Sequence, residues 1–379
     1  MIKFALTSLQ WIKILTRIAF MDTFNFTLST GPVSVLFHTE LTVPEFSESL
    51  GLYVADTNTV TLLRRARGFN PNAPLVIIEA GEAHKTLVNI EKILEAAISA
   101  GLARDSLFAG FGGGVITDMT AFAASLYMRG AKIELVPTTL LAMADAAIGG
   151  KTGVDFKNYK NCIGSFYPAQ KIHISVSALT TLSDAEYRSG LAEVIKTALL
   201  YAPKLFQIMK ERKDAIIARD GDLLLEIVKR CVQAKAHVVE RDLHESGERM
   251  YLNLGHTFGH ALESIAGFGS ISHGDAVAWG ISRALTLGLR LKITDPDYLD
   301  EVLPVLRSYG WSTDPVHPVL QDRISSGTGT ASSVAGELLS AMKNDKKKKE
   351  GNVRFILQRE INSTLATTVS DDDVLAVLS

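Results

Sequence analysis

Arg249, Asn253, His256 and His260 follow one another at spacings of four, three and four, so one continuous helix would set all four on one face. Two histidines beside a guanidinium and an amide are costly to bury unless something satisfies them. His273 comes 17 residues after His256, directly before Gly274 and Asp275, and Glu193 sits on an earlier helical stretch with Lys196 one turn later. Glu193, His256 and His273 make a two-histidine, one-carboxylate set suited to a catalytic zinc with an open position. The segment is not HExxH, because Thr257 stands where the glutamate would be, and the metalloprotease reading falls. Each histidine taken alone also fits a satisfied structural role.

Two further segments carry chemistry. Gly112, Gly113 and Gly114 follow a strand pattern and open a helical one. Missing Cβ atoms and a helix N-terminus suit a dinucleotide pyrophosphate, but the run lacks GxGxxG spacing and tight strand–helix packing fits it equally. Asp56, at the end of an earlier strand, suits either a ribose hydroxyl or a helix cap. Asp145 through Asn161, DAAIGGKTGVDFKNYKN, brings Lys151 and Lys160 together without a long apolar run. Those lysines suit a small phosphorylated substrate, while a plain surface loop is the alternative. GGKT is no P-loop, since Asp145 stands where GxxxxGK needs its first glycine.

The elements that must position these groups are legible as patterns. Short apolar runs at Leu52–Asp56, Leu75–Ile78, Leu107–Phe111 and Ile133–Val136 alternate with helical stretches at Thr57–Arg67, about 85–100 and through Ala121–Tyr127. This rhythm predicts an α/β, Rossmann-like N-terminal domain over 21–182 with a mostly parallel sheet. Beyond Ser183 the periodicity becomes helical at 184–202, 203–218, 221–246, 250–266, 274–292, 297–309 and 332–342, with one late strand at Arg354–Leu357. A mostly α-helical C-terminal domain over 183–379 follows.

With 39 basic and 41 acidic residues in 379, the chain has no basic excess for nucleic acid or an anionic membrane. Two cysteines, Cys162 and Cys231, build neither a disulfide framework nor a zinc knuckle and fit a reducing cytoplasm. No apolar run nears the roughly 20 residues that span a bilayer. Residues 1–20 are an uncertain extension. Gln10, Lys13 and Arg17 interrupt any signal peptide, leaving a membrane-surface helix, a loosely docked helix, or a start at Met21 before the alternating FNFTLS.

GGGVITD at 112–118, YMRG at 127–130, PTTLLAMADAAIGGKTG at 137–153 and KNCIGSFYPAQ at 160–170 resemble the 3-dehydroquinate synthase family of sugar-phosphate cyclases. So do GLAEVIK at 190–196, RMYLNLGHTFGHALE at 249–263, HGDAVAWG at 273–280 and NDKK at 344–347. The resemblance implies NAD held between the two domains by Asp56, Glu82, Lys85, Gly113, Gly114, Val115, Asp118, Thr138 and Thr139, with Lys151 and Lys160 nearby. It implies one divalent metal, zinc or cobalt, on Glu193, His256 and His273. Asp145, Lys151, Lys160, Asn161, Lys196, Lys235, Arg249, Asn253, His260 and Lys346 match the substrate region, and Arg129 matches an arginine passed across a homodimer interface.

The implied substrate is 3-deoxy-D-arabino-heptulosonate 7-phosphate, a phosphorylated seven-carbon sugar acid. The implied reaction is transient oxidation by NAD, phosphate elimination, re-reduction, ring opening and intramolecular aldol closure to 3-dehydroquinate, with the cofactor regenerated. The implied pathway is the shikimate route to chorismate and the aromatic amino acids. The nearest rivals are cyclases acting on sedoheptulose 7-phosphate or glucose 6-phosphate, which lack the carboxylate that Lys235 and Arg249 match; a simple polyol dehydrogenase is more distant. Three positions depart from the pattern: Thr117 for a glycine, Tyr159 for the glycine before Lys160, and Leu243 for the second acid of a DE pair.

Overall fold

Strict alternation sets the first hairpin: Phe26 and Leu28 of β1 (Asp22–Leu28) and Val33 and Val35 of β2 (Gly31–Phe37) point into the core, in the register Phe26↔Val33 and Leu28↔Gly31. The computed structural model describes residues 22–47, 50–157, 159–267, 269–325, 330–346 and 353–379; the extension 1–20 lies outside them. β2 then pairs in parallel with β9 (Lys171–Ile174), which continues through β6 (Lys132–Pro137), β5 (Leu107–Gly112) and β3 (Gly51–Asp56) to β4 (Leu75–Ile78). Strands in the middle of this seven-stranded sheet read as near-continuous apolar runs, because helices cover both faces. Helices α1 (Val60–Leu63), α2 (Leu87–Ser99) and α3 (Gly114–Leu126) supply connections, and α3 buries Ile116, Met119, Phe122 and Ala123. The chain leaves β3 for β4 on one side and returns to place β5 on the other, so a topological switch lies between β3 and β5.

The segment Asp145–Asn161 is not a plain loop. A π-helical turn, Ala142–Ala146, ends at two left-handed glycines, Gly149 and Gly150, and leads into the antiparallel hairpin of β7 (Lys151–Phe156) and β8 (Tyr159–Phe166). The expected helix Thr57–Arg67 shrinks to α1, because Arg67 bonds to Leu41 and Val43 and bridges Thr42 instead.

The remaining helices are α4 (Asp184–Tyr201), α5 (Pro203–Glu211), α6 (Lys213–Ile217), α7 (Gly221–Arg241), α8 (His256–Ala266), α9 (His273–Arg290), α10 (Pro296–Ser308), α11 (Pro318–Ser325), α12 (Ala331–Lys346) and α13 (Asp371–Ala376). Ser183, Asp220, Ser272, Asp295 and Ser370 cap five of them with side-chain oxygens. The late strand is a hairpin, β10 (Arg354–Glu360) with β11 (Ser363–Thr368), docked where Asn362 donates to Leu199 and Asp295 to Arg359. The expected helix over 221–246 stops at Arg241, since the Asp242 side chain captures the amides of Ser246, Gly247 and Arg249. The expected helix over 250–266 is also not continuous: Glu248–Asn253 is a 3-10 turn, and Gly255, left-handed at φ 80°, separates it from α8.

Candidate active site

Three helices converge because three glycines let them. A Cβ on Gly280 of α9 would lie 2.0 Å from the Gly255 carbonyl oxygen, one on Gly274 would lie 2.3 Å from that of Ser189 in α4, and one on Gly255 would lie 2.7 Å from that of Val277. This close crossing sets Glu193 of α4 against His256 and His273, the first residues of α8 and α9. Their donor atoms all lie within 4.8 Å of one another. Glu193 Oε1 is 3.3 Å from His273 Nε2 and 3.8 Å from His256 Nε2, and neither of its oxygens accepts a well-formed hydrogen bond among the described residues. His256 Nδ1 is 3.2 Å from the Leu254 carbonyl, which orients the ring and leaves Nε2 facing Glu193. The expectation that Arg249, Asn253, His256 and His260 share one helical face is corrected by the break at Gly255; only His256 and His260 lie on α8.

This buried carboxylate with two imidazole nitrogens is a donor set that fits a divalent metal. Burial and Lys196 push His256 well below its usual pKa, so it is the neutral ligand form. Burial works against protonation of His273 as well, but Glu193 and Glu263 outweigh it and raise the pKa to about 9. Glu263 Oε1 stands 3.5 Å from His273 Nδ1 and 3.1 Å from Lys160 Nζ, tying the hairpin to the second histidine. His260 is exposed, with its ring 5.2 Å from that of His256.

Four lysines of the expected substrate region, Lys151, Lys160, Lys196 and Lys235, have carboxylate partners. Lys196, buried, pairs with Glu193 and lies 3.7 Å from Asp145 Oδ2. Lys235 pairs with Asp145 through its side chain and, at 2.5 Å, its carbonyl. Burial raises the Asp145 pKa, but Lys196 and Lys235 override it and hold the group far below the usual carboxylate range. Burial is also the main reason Lys235 drops to about 8. Lys151 pairs with Glu245, which sequence reasoning missed: it is the fourth residue of the 242–255 segment between α7 and α8 and unremarkable in type. Arg249 is 1% exposed, and its guanidinium has no carboxylate partner among the described residues: it donates to the Leu243 carbonyl and, at 3.0 Å, to the Gly149 carbonyl, while its Nε has no partner among them.

At the other end of the cleft, Asp56 ends β3 and its carboxylate accepts from the amides of Asn58 at 3.0 Å and Thr59 at 2.8 Å, so it caps a turn. The glycine run serves both readings at different residues. A Cβ on Gly112 would press on Ile116 at 2.7 Å, which is packing, whereas one on Gly114 would meet nothing closer than Ala146 at 3.5 Å. Gly114 presents the open N-terminus of α3 beside the switch point, between Gly113, where a Cβ would lie 3.0 Å from the Thr139 side chain, and Val115, with Thr138 and Thr139 just beyond β6. Lys85 Nζ bonds Asp118 at 2.7 Å and Asn161 at 2.5 Å, and Glu82, raised by burial, begins the short turn beside it. Arg129 follows Met128 in a left-handed turn, φ 65° and 48°. The Lys346 side chain lies outside the described part of the chain. Of the three departures, Thr117 donates to the Gly114 carbonyl at 3.0 Å, Leu243 is buried in the core and Tyr159 is exposed at the hairpin tip.

Residues 75–189 match the family model for the N-terminal part of 3-dehydroquinate synthase, and residues 190–348 match that for its C-terminal part. A 3-dehydroquinate synthase of Acidithiobacillus ferrooxidans is 38% identical over 349 residues, covering 90% of this chain and 91% of the relative. That of Synechocystis is 40% identical over 305 residues, covering 80% and 81%. Among solved structures, a 2-epi-5-epi-valiolone synthase from Streptomyces hygroscopicus subsp. jinggangensis, with NAD+ and Zn2+ bound, superposes with a TM-score of 0.79 at 26% identity over 91% of this chain and 95% of that one. No described helix is long and apolar enough to cross a membrane. The chain belongs to the 3-dehydroquinate synthase family of lyases.

Proposed function

We propose that the chain is a 3-dehydroquinate synthase of the cytoplasm that converts 3-deoxy-D-arabino-heptulosonate 7-phosphate to 3-dehydroquinate and phosphate. The observation that carries the reading is the joining of a Glu193–His256–His273 donor set to a cation cluster in which the Arg249 guanidinium, among the described side chains, lacks a carboxylate partner. NAD and a divalent metal, when bound, supply a reversible hydride acceptor and a Lewis acid for the sugar's hydroxyl oxygens. Asp56, Gly113, Gly114, Val115, Thr138 and Thr139 would hold the dinucleotide at the carboxyl ends of the strands, with Glu82, Lys85 and Asp118 closing that side. Glu193, His256 and His273 would hold the metal. Lys151, Lys160, Asn161, Lys196 and Asn253 would take phosphate and hydroxyls, with His260 and Lys346 at the rim, while Lys235 and Arg249 orient the carboxylate and Asp145 fixes the two buried lysines. We read 21–182 and 183–379 as the two working lobes, and Arg129 as reaching the site of a second copy.

One assay tests this. The purified protein receives the seven-carbon sugar acid phosphate, sedoheptulose 7-phosphate or glucose 6-phosphate, each with substoichiometric NAD, and phosphate release is followed. Many turnovers per NAD on the first substrate alone are expected. Release from sedoheptulose 7-phosphate with none from the acid overturns the substrate, and one-to-one NADH accumulation overturns the cyclase chemistry.

A further inference from the structure

His273 is the first residue of α9, the end at which a helix frays, yet it has to meet a carboxylate carried by α4. Three contacts hold that end, and neither spacing nor resemblance gave a role to the side chains that make them. Ser272 caps α9: its hydroxyl accepts from the Asp275 amide at 3.1 Å and donates to Asp275 Oδ2 at 2.7 Å. The Gly274 amide, which a helix leaves without an internal acceptor, donates to Ser189 Oγ of α4 at 3.0 Å. Beside it, Arg188 of α4 sets its Nη2 3.0 Å from one Asp275 oxygen and 3.1 Å from the other. Gly310, left-handed at φ 84°, backs the guanidinium, and a Cβ there would lie 3.3 Å from Nη1.

Ser189 and Glu193 stand four residues apart on one face of α4. The Ser189–Gly274 and Glu193–His273 contacts are therefore one turn apart along the same seam between α4 and α9. The Arg188–Asp275 pair closes that seam toward solvent, with side chains 39% and 19% exposed against 1% for Glu193. A partly exposed ion pair adds little to stability, but it can remove a freedom. One hydrogen bond at Gly274 lets α9 pivot about that point, and a charged contact at the next residue stops the pivot. We propose that Arg188 and Asp275 are positioning residues for the metal: their ion pair locks the first turn of α9 against α4 and fixes how His273 Nε2 faces Glu193. This role rests on the Glu193–His256–His273 ligand reading and not on the identity of the sugar.

The test is zinc affinity of the full-length protein with NAD present, measured by competition with a chromophoric chelator. The visible spectrum of the cobalt form and the thermal midpoint of the metal-free protein accompany it. Asp275→Asn keeps an acceptor for Ser272 and removes the charge, and Arg188→Met keeps the bulk of the side chain and removes the fork. Each should weaken zinc roughly 10- to 100-fold, the usual cost of losing a group that orients a ligand, and alter the cobalt absorption. The metal-free midpoint should stay within about 2 °C of that of the unaltered protein. Arg188→Lys, with charge but no fork, should recover part of the affinity, and the double variant should be no weaker than the weaker single one. Unchanged zinc affinity and cobalt spectrum in Arg188→Met and Asp275→Asn overturn the proposal, as do losses that add in the double variant. Weaker zinc confined to variants whose metal-free midpoint has collapsed also overturns it. If Asp275→Asn does not fold, Arg188→Met and Arg188→Lys decide. A zinc affinity that His256→Ala leaves unaltered overturns the ligand reading and this role with it, whereas failure of the proposed substrate appears as no turnover of the sugar acid.

Discussion

Replacing Arg249 separates a brace from a binding group, because the structure gives this side chain a definite structural task. Its guanidinium bridges the carbonyls of Leu243 and Gly149, and it is packed so closely that a Cβ on Gly149 would lie 2.9 Å from Nη2. Arg249→Met keeps most of the volume and leaves two buried carbonyls without donors, at about 1–3 kcal/mol each. Removing a buried cation whose burial lowers its pKa and whose Nε is unpartnered returns part of that cost. A net loss of about 2–4 kcal/mol is expected, seen as a thermal midpoint lower by roughly 3–5 °C for a chain of this size. Binding is read separately, as the ratio of kcat/KM for the seven-carbon acid to that for the same sugar phosphate without its carboxylate. Structural damage divides out of that ratio. A charged contact to the carboxylate of about 1.5–3 kcal/mol makes the ratio fall about 10- to 150-fold in Arg249→Met. Arg249→Lys, which keeps the charge but loses the fork, should fall between. An unchanged ratio, with both rates falling alongside stability, would refute the carboxylate role and leave Arg249 as a brace.

Other outcomes follow from the same geometry. Chelation should abolish turnover and zinc or cobalt restore it, and His256→Ala should lower metal content measured by elemental analysis; full content and activity would remove the ligand assignment. Gly280→Ala drives a Cβ into the Gly255 carbonyl at 2.0 Å and should cost about 3 kcal/mol or more together with metal binding, whereas a normal thermal midpoint would mean that the α8–α9 crossing yields. Inactive Arg129→Ala mixed with inactive Lys196→Ala should regain activity if Arg129 serves a partner's site, and failure after verified subunit exchange places Arg129 in its own chain. His38 is held at about 4 by burial, by His173, whose Nδ1 lies 3.0 Å from its Nε2, and by Arg67, against the weaker opposite pull of Glu40. Between pH 6.5 and about 4 the unfolded chain takes a proton there that the folded one refuses, so stability should fall as pH falls through that window. The loss is at most about 3 kcal/mol and roughly 1–2 after solvent screening; denaturant midpoints of His38→Gln with an unaltered pH slope would contradict this.

The types of the metal donors were legible in the sequence, but the path between them was not. RMYLNLGHTFGH keeps a helical spacing of apolar residues, so the break at Gly255 is visible only as one glycine within a periodic run. Physically the break matters. A continuous helix would carry Arg249 on the same rod as His256, whereas the left-handed residue turns the 3-10 segment so that Arg249 reaches Gly149, 100 residues away. The hairpin after Gly150 was hidden for another reason: β8 is exposed or half-buried throughout, so it lacks the apolar alternation that marks a strand. The sheet itself was plain, because its central strands are buried on both faces and read as unbroken apolar runs. The lysine–carboxylate pairings escaped entirely. Asp145 meets Lys196 and Lys235 only through the packing of the π-helical turn on α4 and α7, and no local pattern encodes a contact across such separations.

Those pairings bear on substrate choice through charge. Among the described lysine, arginine and carboxylate side chains, with the histidines and Lys346 left aside, Lys151, Lys160, Lys196, Lys235 and Arg249 provide five positive charges, and Asp145, Glu193, Glu245 and Glu263 provide four negative ones, a difference of +1. The proposed divalent metal would bring this set to +3. A phosphate monoester carries about −2 near neutral pH, and a carboxylate adds one more negative charge, so the seven-carbon acid matches the set. Under the proposed function, a sugar phosphate without the carboxylate would leave uncompensated the Arg249 guanidinium, which has no carboxylate partner among the described residues.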